Sequence, residues 1–247
     1  MKIKLVLFLV TISHMCLSQN SEKVWPSISM VNDVIFKDST YNHRNIGCGF
    51  LLSYNNETYA ITAKHLLQVA HTDKMKTTHF ENELKKWVMY PKDKKEQTVI
   101  LGNLLNEDRT DSLNWDNYNN NFYSYTDWLI FDIKANNSDI KPVELSKHAP
   151  VIGDTVYVVG WTYDDTVGNQ RVYSYMIKGR EGQRLKMSLI NAPESGAGLS
   201  GSPVLNSEGY LVGIISSGGY DPEFQQLISK PCTTDYLIRF FENLADK

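Results

Sequence analysis

The sequence predicts an all-β fold closed by a single C-terminal helix, and three observations carry that prediction. Short runs rich in Val, Ile, Tyr and Phe alternate with polar turns along most of the chain, the spacing of an all-β domain. Helical periodicity appears only near the end, where Leu237, Phe240, Phe241 and Leu244 fall at i, i+3, i+4 and i+7, one face of a helix. At 247 residues and 42% hydrophobic, the chain can bury a core, and all-β chains of this length often form one unit.

The elements follow in order. Met1 to Ser18 combine Lys2 and Lys4, the apolar stretch Leu5 to Val10 and the exit Cys16-Leu17-Ser18. That is the layout of a secretory signal peptide, too short for a membrane anchor. Met15 stands where a lipoprotein needs a small residue, which argues against lipid attachment at Cys16. First-half strands are expected at Ile46–Ser53, Thr58–Thr62, Trp87–Tyr90, Thr98–Leu104 and Trp128–Ile133. Second-half strands are expected at Thr155–Trp161, Arg171–Lys178, Leu185–Ile190, Pro203–Leu205 and Leu211–Ser216. Gly168-Asn169 marks a hairpin turn, and Asn136 to Pro142 reads as an irregular connection. The segment His71 to Tyr125 is rich in Lys, Asp, Glu and Asn. Its stretch Asn114 to Asn121 offers oxygens suited to calcium but lacks the glycine and spacing of a known calcium loop, so a solvated insertion is expected. Thr234 or Asp235 caps the final helix.

Charge narrows the partners. The net charge is −3, and removing Met1 to Ser18, with two lysines and no acid, leaves −5. No basic stripe appears, so nucleic acid is not an expected partner. No second apolar run of about 18 residues follows, so a secreted or periplasmic protein without a membrane partner is expected. The remaining cysteines are Cys48 and Cys232. Export permits a disulfide, but two distant cysteines do not establish one, and two buried thiols are the expectation.

Chemistry gathers at three places. Gly198-Leu199-Ser200-Gly201-Ser202-Pro203-Val204 sets a serine between glycines, whose freedom allows a sharp bend. Such a bend exposes a hydroxyl and turns backbone N–H groups toward one point, where an oxyanion can sit. Ile61-Thr62-Ala63-Lys64-His65 ends a strand with a histidine, and Asp127 opens the apolar strand after Thr126. A serine hydroxyl needs a base, imidazole is neutral near physiological pH, and a carboxylate fixes its tautomer. His43, His71, His79 and His148 lie in polar stretches without a leading strand and read as surface residues. Asp132 is the rival to Asp127, and five residues apart on a strand they face opposite sides. Ser202 is the rival nucleophile. Gly196 to Gly201 satisfies G-x-G-x-x-G, but Pro203 and a strand follow where a dinucleotide site needs a helix. The G-x-S-x-G elbow of esterases fails, because Ser202 stands in place of its second glycine.

These residues resemble the trypsin-like (chymotrypsin-fold) serine proteases, in particular their compact bacterial members. Thr62-Ala63-Lys64-His65 resembles the family's Thr-Ala-Ala-His, and Asp127-Trp128-Leu129-Ile130 resembles its Asp-φ-Ala-φ strand. Gly198 to Val204 resembles Gly-Asp-Ser-Gly-Gly-Pro-Val, and Gly213 to Gly218 resembles Gly-φ-φ-Ser-Trp-Gly. The order His, Asp, Ser is the family's. The resemblance implies two antiparallel six-stranded β-barrels, at about 24–135 and 143–232 of a domain spanning 19–247, with a helix at about 234–245 packed on the second barrel. It implies an exported endopeptidase with the triad His65, Asp127 and Ser200, an oxyanion hole of the Gly198 and Ser200 N–H groups, and no cofactor or metal. Protein or peptide substrates would pair with Ser216, Ser217 and Gly218. Glu194 falls at the base of the specificity pocket, favouring Lys or Arg, or else lies in a surface turn that leaves an open pocket for small or apolar side chains. An inactive member that binds peptides, and a small-ester hydrolase, are the alternative functions.

Departures from the family pattern are specific. Leu199 replaces the aspartate that pairs with a newly cut N-terminus in animal enzymes, so no activation switch of that type is expected. Ser217 replaces a tryptophan and Ser202 a glycine. Leu66 stands where the usual partner of Cys48 would be, so the family's bridge is absent.

Overall fold

The computed structural model describes residues 23–111, 126–191, 193 and 195–245. The first barrel is built from β1 (Ser29–Phe36), β2 (His43–Tyr54), β3 (Glu57–Thr62), β4 (Leu84–Tyr90), β5 (Thr98–Leu104) and β6 (Leu129–Asn137). Their order is β1-β4-β5-β6-β3-β2, and pairing of β1 with β2 closes the ring. A two-residue strand, β7 (Val143–Glu144), adds to β2 in parallel. The second closed barrel holds β8 (Thr155–Gly160), β9 (Arg171–Glu181), β10 (Arg184–Asn191), β11 (Pro203–Leu205), β12 (Leu211–Asp221) and β13 (Gln226–Thr233). A helix, α1 (Asp235–Ala245), follows. The expected all-β class and the two six-stranded antiparallel barrels are what the chain forms.

Large apolar side chains fill the first barrel. Trp87, Phe131, Phe50, Leu51, Leu52 and Ile61 are fully buried, and the Trp87 and Phe131 rings lie 5.2 Å apart. One polar residue sits among them. The Asn32 side chain donates to the Ile46 and Cys48 carbonyls and accepts from Trp87 Nε1 at 2.9 Å. It stands where the β1–β2 register slips, so its amide satisfies carbonyls that the bulge leaves without ladder partners. A separate cluster fills the second barrel: Val156, Val158, Tyr175, Ile177, Leu185, Met187, Leu199, Val204, Val212 and Ile215.

Three strands, β1, β7 and β13, lie outside the expected set. Asn32 and Asp33 interrupt the apolar pattern of β1, and Lys230-Pro231 interrupts β13. Tertiary partners make both workable. Asp33 Oδ1 accepts the Asn45 N–H and the Tyr90 hydroxyl. Pro231 falls beside the register slip between Ile214 and Ser217 on β12, where a missing N–H costs no ladder bond. The described part of the segment from His71 includes the two strands expected within it. It carries β4 and β5, fully buries Met75, and lays Phe80 against Trp87 at 5.9 Å. The stretch Asn114 to Asn121 lies outside the described residues, as do the expected signal peptide at 1–18 and Glu194.

Both ends of the described chain cross to the barrel they do not belong to. Residues 23–28 lead into β1, yet Trp25 packs on Tyr157 of β8 at 5.1 Å and Lys23 Nζ donates to the Ser207 carbonyl. The Gln170 side chain takes the Ile28 and Ser29 N–H groups and donates to the Pro26 carbonyl. The helix corrects an expectation. It follows the second barrel, but Phe241 rests on Tyr54 of β2 and Tyr59 of β3, each at 4.6 Å. Leu237 and Phe241 belong to the cluster that holds most of the first barrel's core and extends to Val159, Leu205, Leu211, Ile214 and Cys232 of the second. Aromatic surface on β2 and β3 is the apolar partner available to that face. The second barrel supplies polar contacts, Arg180 to Asp235 and Arg239 to Gln183.

Candidate active site

The antiparallel pairing of β3 with β6 brings Thr62 opposite Leu129, so the chain just after one strand meets the chain just before the other. His65 lies on a 3-10 turn, Lys64–Gln68, directly after β3, and Asp127 lies directly before β6. Asp127 is fully buried and His65 is 7% exposed. The His65 N–H donates to Asp127 Oδ1 at 2.7 Å, and His65 Nδ1 lies 2.7 Å from Asp127 Oδ2. Ser216, from β12 of the other barrel, donates to the same Oδ2 at 2.5 Å. Two residues upstream of His65, the Ala63 backbone enters the turn from an extended conformation. Lys64 is pinned by Asp111 at 3.0 Å.

Ser200 sits on the turn between β10 and β11, held from both sides. Its carbonyl accepts the Cys48 N–H at 2.6 Å, and the Gly201 N–H donates to the Ile215 carbonyl at 2.9 Å. Gly201 has φ +84°, and a Cβ there would lie 2.1 Å from the Cys48 carbonyl oxygen. Only glycine combines that conformation with that approach. Gly198 has φ +100° and faces the backbone of Thr162 and Tyr163. Beneath the turn, the Cys48 thiol donates to the Gly198 carbonyl at 3.3 Å. Among the described residues, the N–H groups of Gly198 and Ser200 have no hydrogen-bond acceptor.

A cavity of about 750 Å³ opens over these groups, lined by His65 and Ser200 together with Ser216, Ser217 and Gly218. Its walls include Tyr175, Leu189, Leu199, Ile215, Leu227 and Ile228. The fold thus brings His65, Asp127, Ser200, Gly198, Ser216, Ser217 and Gly218 into one neighbourhood. Within it, the Ser216 hydroxyl points at Asp127, while the Ser217 hydroxyl takes Arg184 Nη1 at 2.6 Å. Neither hydroxyl is thereby directed at a ligand.

The rival residues are placed elsewhere. Ser202 is fully buried and its hydroxyl faces the Gly160 backbone. Asp132 takes the Asn103 N–H and side-chain amide across the β5–β6 slip. His79 differs from the surface reading: its side chain is 13% exposed and lies between Glu81 and Glu107. His71 is half-buried against the Leu67 carbonyl, and burial lowers its pKa below the ordinary histidine value. Cys48 and Cys232 are buried thiols with no disulfide between them, as expected. Burial raises both thiols, that of Cys232 to about 11. The support that Cys48 gives the Gly198 turn leaves only the Gly47-Cys48-Gly49 run as its trace in the sequence.

A family model described as Trypsin matches residues 35–229. The chain belongs to the trypsin family. Among solved structures, this trypsin-family chain is similar to a serine endoprotease from Yersinia pestis, with 20% identity and a TM-score of 0.51 over 89% of this chain. It spans 62% of that longer protein. It is also similar to a Glu endopeptidase, with 14% identity and a TM-score of 0.58 over 90% of this chain and 92% of the other. Neuropsin, a serine protease of mouse brain, gives 14% identity and a TM-score of 0.58 over 86% and 93%. No curated protein matches the chain. Among the described residues no group of three His, Cys, Asp or Glu side chains is placed to hold a metal ion, and no helix is long and apolar enough to cross a membrane.

Proposed function

We propose that this trypsin-family protein is an exported serine endopeptidase. The observation that carries the reading is that His65, bound to the buried Asp127, lines the same cavity as Ser200 on its glycine-flanked turn. His65 Nδ1–H donates to Asp127, which leaves Nε2 as the base for the Ser200 hydroxyl. Ser200 attacks the scissile carbonyl, forming the C–O bond as His65 takes its proton. The Gly198 and Ser200 N–H groups hold the resulting oxyanion. Collapse breaks the C–N bond while His65 returns the proton to the amine, and water repeats the sequence to release the acid. No step requires a cofactor or metal.

The cavity walls favour a bulky apolar side chain before the scissile bond, since aliphatic and aromatic surface there gains from excluding water. Leu199 is 1% exposed inside the second barrel's core, so the segment offers no carboxylate to a newly cut N-terminus and needs no such switch. Labelling with a fluorophosphonate probe, paired with casein digestion, tests the whole reading. Wild type is expected to label at Ser200 and digest casein, and Ser200→Ala to do neither. Labelling without casein digestion would support a small-ester hydrolase, and no labelling a binding protein. Cleavage of a diverse peptide library by wild type and Glu194→Gln reads specificity: a Lys or Arg preference lost in the variant overturns the apolar assignment.

A further inference from the structure

We propose a second substrate subsite, a basic groove beside Tyr163 that binds acidic side chains in the half of the substrate departing as the amine. It rests on the peptidase reading and adds a ligand class to it. The groove, of about 570 Å³, draws lining residues from both barrels, among them Arg44, Lys86, Lys92, Lys95 and Tyr163. Asp33 is the one carboxylate in that lining, and its Oδ1 is already engaged by the Asn45 N–H and the Tyr90 hydroxyl. Among the described residues none of the four cations enters a salt bridge. Four unpaired positive charges gather here on a chain whose net charge is −3. Asp33 offsets one of them, and a concave wall on which one sign of charge still predominates focuses its field on opposite charge.

Tyr163 joins this groove to the reacting centre. It is half-exposed, its N–H donates to the Ala197 carbonyl at 2.9 Å, and its hydroxyl accepts the Gly47 N–H at 3.4 Å. A Cβ on Gly198 would lie 2.6 Å from the Tyr163 nitrogen. Lys92 Nζ donates to the Thr162 carbonyl at 3.2 Å, which fixes the groove wall to the same stretch. The groove therefore begins against the turn that presents Ser200, and it shares no lining residue with the cavity that holds Ser216 to Gly218. With the acyl half of a peptide over the β12 cavity, an extended chain gaining about 3.3 Å per residue carries its amine half past Tyr163 within a few residues.

Two fluorogenic peptides decide the matter, identical up to the scissile bond and continuing as Asp-Glu-Asp or as Asn-Gln-Asn. At low salt the acidic peptide is expected to show about fivefold higher kcat/KM, the range of a few exposed ion pairs, narrowing at about 0.5 M salt. Lys86→Glu with Lys95→Glu, both exposed, is expected to invert the preference while leaving hydrolysis of a small nitrophenyl ester unchanged, which shows the variant is folded. Equal kcat/KM for the two peptides, or a preference the double variant leaves intact, overturns the proposal. So does displacement from this face by a single-stranded oligonucleotide without any acidic-peptide preference, which would mark a nucleic-acid surface. Failure of the peptidase reading shows separately, as hydrolysis of neither peptide. The groove is then read by anisotropy of the labelled Asp-Glu-Asp segment on Ser200→Ala, and binding lost in the double variant still supports it.

Discussion

Asp127 receives three hydrogen bonds in a fully buried site: two from His65 and one from Ser216 across the barrel boundary. A buried carboxylate is costly unless hydrogen-bonded, so its orientation is dictated from three directions. Removing the Ser216 donor leaves the histidine contacts intact but frees one lone pair. Ser216→Ala is expected to lower kcat by about tenfold, in line with one charge-assisted hydrogen bond, with KM little changed. Equal loss in KM would assign Ser216 to substrate binding instead. Ser200→Ala and the triple alanine variant at His65, Asp127 and Ser200 should be similarly inactive, because members of such a unit act non-additively. Gly201→Ala forces a Cβ to 2.1 Å from the Cys48 carbonyl. It is expected to abolish probe labelling while sparing much of the barrel circular dichroism.

At the scale of elements, the hairpin loop before β9 is organised by one carboxylate. Asp165 takes the Thr162 N–H and hydroxyl, the Tyr173 hydroxyl and Arg171 Nε. Burial opposes its charge, but these donors outweigh burial and hold the pKa down at about 2. A carboxyl depressed in the folded state adds stability above its unfolded value of about 4, lost as pH falls from there toward 2. The melting-temperature gap between wild type and Asp165→Asn should therefore close across that window. A gap constant from pH 6 to pH 2 would contradict it. The helix α1 gives a second element-scale expectation. Phe241→Ala removes a ring stacked on Tyr54 and tilted against Tyr59 and should cost about 3–5 kcal/mol, read as a lowered melting temperature. Legibility follows the same physics. The strand ends carrying His65 and Asp127, and the glycine-flanked Ser200, were plain because local pattern and chemistry agree there. The strands β1 and β13 were hidden because Asn32, Asp33 and Pro231 suit a strand only once distant partners are in place. The seat of α1 was misread because its periodicity fixes which face is apolar and not which barrel meets it.

For the whole molecule, the crossed ends bear on cooperativity. The segment at 23–28 covers part of the second barrel, and α1 covers part of the first. Neither barrel keeps its full apolar cover if the other unfolds. One calorimetric transition is expected, with equal calorimetric and van't Hoff enthalpies. Two resolved transitions in the wild type would show that the barrels are independent.

The seat of α1 also sets an order of events in time. Synthesis runs from the N-terminus, so the strands of the first barrel exist once residue 137 has emerged. Tyr54 and Tyr59 nevertheless stay bare until Phe241 arrives, after the entire second barrel has been made. The earliest-made half is thus the last to be sealed, and its finishing piece is the final stretch of described chain. A growing chain presents sticky aromatic surface throughout that wait, the condition under which a holding chaperone has something to hold.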